Sequence, residues 1–146
     1  AAFGIRLFAM LYIEGENKME QILKTFTLDF FGKGKHKISP EKLFDIEDSF
    51  LLDVRSKEEA ASISIRMEFH PNIESKNIPI NEIPNRIDKI PKEKFVAVFC
   101  PANVREAIVY AYLLSKGFPN VRILEDGYSA LTEAIKPGKV LKQLKI

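Results

Sequence analysis

The sequence predicts an α/β fold organised around a mostly parallel sheet. Short β-branched and aromatic runs alternate with helix-like stretches from about His36 to Ile135. Two of those runs, Phe50–Val54 and Phe95–Phe99, are apolar almost throughout instead of alternating with polar residues. Strands covered on both faces read this way, and their alternation with helices gives βαβ units.

The elements follow from their punctuation. Ser39-Pro40-Glu41 reads as a helix start, with a serine N-cap, proline at the first helical position and an early acid, and the helix runs to about Ile46. Phe50-Leu51-Leu52-Asp53-Val54 is a buried strand, after which Ser56 caps the short helix Lys57–Ala61. Residues 62–77 show no clear period and read as a loop with one irregular strand, while Asn77–Ile80 reads as a short edge strand because Pro79 cannot donate to a ladder. Ile83, Ile87 and Ile90 have helical spacing over 81–90. Phe95–Phe99 is the strongest strand and should be central. The strongest helix runs from about Asn103 to Lys116, with Ala107, Ile108, Ala111 and Leu114 on its apolar face and Gly117 just past its end. Val121–Leu124 is a further strand, and Tyr128–Ile135 a helix stopped by Pro137-Gly138.

The 146 residues fit one domain of ordinary soluble composition, 46% hydrophobic and 29% charged. Residues 1–34 read as an N-terminal extension that the pattern leaves without a defined structure, and 35–146 as the folded domain. The apolar run Ala1–Ile13 is broken by Arg6 and shorter than the roughly 20 residues of a membrane span; it reads as a packed or amphipathic segment, with Met19 a candidate start. Net charge is only +2, from 22 basic and 20 acidic residues, which argues against nucleic acid as partner. A single cysteine forms no internal disulfide and points to the reducing cytoplasm. His36 and His70 are isolated and no second Cys or His lies at metal spacing, so neither metal nor cofactor is expected.

The chemistry centres on Cys100. It ends the strongest strand and precedes the strongest helix, the position where open parallel sheets bind ligands. Backbone N–H groups of the following loop and the helix N-terminus favour thiolate over thiol there, lowering the pKa from about 8.5 toward roughly 3.5–7.5. The loop Pro101-Ala102-Asn103-Val104-Arg105 then forms a substrate cradle, in which Arg105 offers a planar cation to an anionic donor. Asn103 tolerates a left-handed backbone, and Pro101 removes one donor from the ring. Asp53 and Arg55 read as supporting residues, with Glu58 or Glu59 as further ion-pair partners, Tyr110 and Tyr112 as packing residues, and the Lys136–Lys145 tail as solvated.

Taken together these pieces resemble the rhodanese family over Phe50–Pro137, about three fifths of the chain. Leu51-Leu52-Asp53-Val54-Arg55 followed by Glu58-Glu59 is similar to its first signature, and Asn77-Ile78-Pro79-Ile80 to its short strand. Phe99-Cys100 through Arg105 resembles its active loop, and Gly117-Phe118-Pro119-Asn120-Val121 with Leu124 through Ala130 its C-terminal signature. The resemblance implies a central, mostly parallel five-stranded sheet with helices on both faces. It also implies a sulfurtransferase in which Cys100 takes sulfane sulfur from a small anionic donor, held by Arg105, and passes it as a persulfide to a thiol or cyanide acceptor. Thiosulfate, polysulfide and low-molecular-weight persulfides are the candidate donors. The sequence departs from the family at Pro101 (often basic), Asn103 (usually glycine) and Asp126 (usually the first of a glycine pair), and the less basic loop disfavours doubly charged thiosulfate.

Two other classes remain open. A rhodanese-like interaction or regulatory module usually lacks the cysteine, which is present. A cysteine phosphatase or arsenate reductase shares the Cys-to-Arg cradle, but the phosphatase loop has one residue more than the four found between Cys100 and Arg105.

Overall fold

The protein is described by a computed structural model, which covers residues 18–144. Five strands, β1 (Lys37–Ile38), β2 (Ser49–Asp53), β3 (Ile73–Asn77), β4 (Phe95–Phe99) and β5 (Val121–Leu124), form one sheet in the order β1-β5-β4-β2-β3, and every pairing is parallel. β4 is central, and β2 lies beside it in a register that sets Asp53 against Phe99.

Side-chain alternation along β2 and β4 sorts the core into two layers. Phe50, Leu52, Val96, Val98 and Cys100 face one side, packed with Val109, Tyr110 and Leu113 of the long helix α5 (Arg105–Ser115) and with Ile83 and Ile90. Leu51, Ala97 and Phe99 face the other, against Leu43 and Phe44 of α3 (Pro40–Phe44) and Leu131 and Ala134 of α6 (Gly127–Ala134). The sheet is therefore covered on both faces, which explains why β2 and β4 read as continuous apolar runs.

The remaining helices are α1 (18–25), α2 (Leu28–Gly32), α4 (Lys57–Ser62) and α7 (Pro137–Gln143). Phe26 and Phe30 pack against the α5 layer, with Phe26 stacked 5.3 Å from Phe30 and 6.1 Å from Tyr110. The run Ala1–Ile13 lies outside the described residues. No helix among the described residues is long and apolar enough to cross a membrane.

Four local expectations need correction. No strand forms at the expected Asn77–Ile80; the edge strand is Ile73–Asn77, the irregular strand expected within 62–77, and because it is covered mainly at Ile73 its charged residues hide any period. Pro79 falls beyond it, leading into a 3-10 turn. The helical spacing over 81–90 resolves into two 3-10 segments, Ile80–Glu82 and Pro84–Lys89, because Pro84 interrupts the ladder and Arg86 leaves helical geometry. Pro137 stops α6 but also opens α7, as a proline at the first helical position does. The buried stripe of α5 is Glu106, Val109, Tyr110 and Leu113, not the expected Ala107, Ile108, Ala111 and Leu114; Ile108 is 56% exposed. Both stripes have helical spacing, and the one with Val109, Tyr110 and Leu113 hides the larger apolar area, but the acid at its head disguised it.

A buried ionic knot joins the two ends of the domain. Arg55 follows β2 and has no exposed surface. Its Nε and Nη2 donate to Asp53 Oδ1 at 2.8 Å and Oδ2 at 2.7 Å, and its Nη1 donates to Tyr128 Oη on α6 at 3.0 Å and to the Glu59 carbonyl on α4 at 3.3 Å. The guanidinium also lies 5.6 Å from the ring centroids of both Phe99 and Tyr128. The Asn77 amide donates to the carbonyls of Asp53 and Arg55, so β3 holds the backbone of the same turn. Removing the cation while Asp53 stays buried should therefore be severe: Arg55→Met should lower unfolding free energy by about 3–5 kcal/mol in urea titrations, and adding Asp53→Asn should restore part of it.

The turn between β5 and α6 needs left-handed backbone at two successive residues, Asp126 at φ 60° and Gly127 at φ 53°. A Cβ on Gly127 would also lie 2.5 Å from the Pro101 carbonyl oxygen. Gly127→Ala thus carries about 1–2 kcal/mol of backbone strain and a backbone overlap that only movement of the Cys100 loop relieves. Its Tm should fall by a few degrees while its helix and sheet content stays native by circular dichroism, and the alkylation rate of Cys100 should change.

Candidate active site

Cys100 leaves the carboxyl end of β4, and the chain returns as α5 at Arg105. The intervening loop turns tightly because Asn103 adopts φ 61°, in the left-handed region that asparagine tolerates better than most side chains. Val104, at the N-cap of α5, provides no side-chain acceptor for the first turn. The N-terminal N–H groups of this 11-residue helix are consequently left without a capping side chain beside the loop that carries the thiol.

Exposure divides the loop sharply. Cys100 has no exposed surface, Pro101 is half-buried, and Ala102, Asn103 and Val104 are exposed, Val104 by 63%. A surface groove of about 720 Å³, lined by Glu74, Ile90, Lys92 and Phe118, lies at the opposite, amino-terminal end of the strands.

Arg105 is not a free cation. Its Nη1 and Nη2 donate to Glu59 Oε2 at 2.6 Å and Oε1 at 2.9 Å, a bidentate pair in which both side chains are about one-third exposed. Glu59 is itself oriented by a capping box: it accepts from the Ser56 N–H at 2.9 Å, and its own N–H donates to Ser56 Oγ at 3.2 Å. The bond from Arg105, then that from Ser56, holds the Glu59 carboxyl at about 2, far below its ordinary range. Arg105 is correspondingly raised, through Glu59 first and more weakly through the charges of Cys100 and Tyr128. The sequence offered Glu59 to Arg55; the structure gives Arg55 to Asp53 and Glu59's carboxylate to Arg105. The two arginines grip α4 at one residue, Arg55 through the Glu59 carbonyl and Arg105 through its carboxylate.

Two members of this cluster escaped the sequence. Tyr128 appears there only as a helix start and as part of a signature, although its hydroxyl accepts from Arg55. Glu106 reads as an ordinary acid in the first turn of a helix, where the dipole favours one. In the structure it is fully buried, its Oε2 accepts the Cys100 N–H at 3.1 Å, and its Oε1 has no partner. Burial pushes its carboxyl up to about 7, with the Asp126 charge adding in the same direction and the Cys100 N–H opposing. A signal existed: an acid in register with Val109, Tyr110 and Leu113 on one helix face.

The structure thus brings Cys100, the loop 101–104, Arg105, Asp53 and Arg55 to one end of the sheet. Each arginine there is already matched to a carboxylate, Arg55 to Asp53 and Arg105 to Glu59.

Comparison with known proteins bears on this arrangement. The rhodanese-like domain model matches residues 40–134, from the first turn of α3 to the end of α6. A sulfurtransferase of Allochromatium vinosum is 31% identical over 90 residues, which cover 62% of this chain and 78% of that protein. A tRNA uridine(34) hydroxylase of Pelagibacter ubique is 27% identical over 122 residues, 82% of this chain but only 39% of that protein. Among solved structures, a rhodanese-like domain protein from Staphylococcus aureus superposes with a TM-score of 0.50 at 31% identity, covering 62% of this chain and 80% of that one. The matched segment contains β2 to β5, the Asp53–Arg55 knot and the whole Cys100 loop, and the chain belongs to the rhodanese-like domain family.

Proposed function

We propose that this chain is a sulfurtransferase that carries sulfane sulfur as a persulfide on Cys100. The observation that carries the reading is the seat of the sulfur, between the carboxyl end of the central strand and the uncapped N-terminus of α5. That seat favours an anionic sulfur, whether thiolate or persulfide. The likeness to the Allochromatium vinosum sulfurtransferase supports the same chemistry. In the first step the Cys100 thiolate attacks the outer sulfur of the donor, the donor's S–S bond breaks, and its electron pair leaves on the departing thiolate or sulfite. In the second an acceptor thiol or cyanide attacks the terminal sulfur, and the Cys100 thiolate is regenerated. Sulfur moves with its electron pair accounted for, and no cofactor or metal takes part. The lone cysteine fits such work in the reducing cytoplasm.

Arg105 is the donor's anion anchor in this reading, with Pro101, Ala102, Asn103 and Val104 forming the cradle. Because Glu59 already occupies the Nη1–Nη2 edge of the guanidinium, a donor must displace it there or approach from the Nε side. A sulfonate has to compete with a bidentate carboxylate, whereas a polysulfide or small persulfide needs only the N–H groups of the loop. The reading therefore favours donors without a sulfonate. A second reading, a rhodanese-like interaction module, draws on the complete burial of Cys100.

Intact mass spectrometry separates the two. After incubation with polysulfide the protein should gain the mass of one sulfur atom, removable by cyanide or dithiothreitol and absent in Cys100→Ser. No gain with any sulfane donor would leave the interaction module. Phosphatase chemistry would instead appear as hydrolysis of aryl phosphates lost in Cys100→Ser, and none is expected.

The anchor has its own test in steady-state kinetics. Arg105→Ala should raise KM for thiosulfate, with Arg105→Lys rescuing only in part because it lacks the planar fork. Glu59→Gln should release the guanidinium and lower that KM by on the order of tenfold, the equivalent of one charge-assisted hydrogen bond, while the KM for polysulfide changes little.

A further inference from the structure

Glu106 is the only buried side-chain acid of α5, and its place invites a role. One carboxyl oxygen accepts the Cys100 N–H at 3.1 Å and the other is buried without a partner. A carboxylate needs several donors to offset its loss of water, and this one has a single donor.

Among the described residues no cation offsets it either. Arg105, its neighbour in the chain, is turned to Glu59, and Arg55 is matched to Asp53. From α6 the facing charge is Asp126, which is of like sign. One turn along α5, burial keeps the Tyr110 hydroxyl neutral. At the end of β4 stands Cys100 itself. A second negative charge on the sulfur would share this pocket with the carboxylate.

We propose that Glu106 is a positioning residue that limits the Cys100 pocket to one negative charge: protonated, it lets the sulfur be a thiolate or persulfide anion, and ionised, it holds the sulfur as a thiol. The two protons then titrate as a coupled pair. Because Glu106 gives up its proton near neutrality, sulfur loading gains less from alkaline conditions than a free thiol would. The role rests on Cys100 as sulfur carrier for its consequence, but the coupling itself is read by alkylation, which needs no sulfur transfer.

The test is the rate of iodoacetamide alkylation of Cys100 against pH in the wild-type protein and in Glu106→Gln, which keeps the acceptor for the Cys100 N–H but has no charge to gain. The two proteins should react alike in acid, where Glu106 is protonated, and diverge as pH rises through neutrality, the variant reaching its midpoint about one unit lower. Curves that coincide at every pH overturn the proposal. So do curves offset by a constant factor throughout, the mark of a purely structural role. If Glu106→Gln does not fold, Glu106→Met, which fills the same apolar stripe, should diverge in the same way. In the wild-type protein alone, the infrared carbonyl band of a buried carboxylic acid should persist to near-neutral pH, and its loss in the ordinary acidic carboxylate range would also overturn the proposal.

Discussion

The domain is organised by the need to neutralise one cation that has no water. Arg55 is wholly buried, and a lone guanidinium in that position would cost several kcal/mol. Its partners come from separate parts of the chain: Asp53 closes β2, Glu59 contributes a carbonyl from α4, Tyr128 contributes a hydroxyl from α6, and Phe99 contributes a ring face from β4. Satisfying the charge fixes where α4 and α6 stand relative to the ends of β2 and β4. Those strand ends are where Cys100 emerges. The knot therefore sets the frame of the loop without touching the sulfur.

From that frame the loop geometry follows. With α4 held through Glu59, the carboxylate of the same residue meets Arg105 at the start of α5. With α6 held through Tyr128, its first residue Gly127 lies beneath the Pro101 carbonyl. The loop is thus pinned at its far end by an ion pair and at its near end by backbone contact, and Asn103 makes the reversal between them. Its exposed crest, residues 102–104, carries no such tether.

Much of this was readable in the sequence, for identifiable reasons. β2, β4 and β5 declared themselves because buried parallel strands are runs of apolar residues, and Cys100 stood out because such a strand ended on it. Asn103 could be assigned its left-handed turn because few other residues accept one. What the sequence hid were choices between chemically equivalent partners. Glu59 is as plausible a partner for Arg55 as for Arg105 until Asp53 is seen to fill the Nε–Nη2 edge of Arg55 and Tyr128 to take its Nη1. The face of α5 was ambiguous because two offset stripes both have helical spacing, and the true one begins with a glutamate. The edge strand β3 was placed only loosely, as an irregular strand somewhere in 62–77, because an edge strand with one buried residue has no period to detect.

Glu106 and Arg105 are adjacent in sequence and opposite in circumstance. Helix geometry sends neighbouring residues about 100° apart, so one points to the α4 side, where Glu59 compensates it, and the other into the apolar layer, where nothing does. The arginine's charge is largely spent before a ligand arrives, and the acid's charge is withheld by burial. The N-terminus of α5, which no side chain caps, lies beside the Cys100 loop, and its dipole is fixed in place. A negative group brought to this end of the sheet meets Glu59 on the Nη1–Nη2 edge of Arg105 and the charge of Asp126, which already resists ionisation of Glu106. The same economy of positive charge thus links the choice of donor to the protonation of a buried acid.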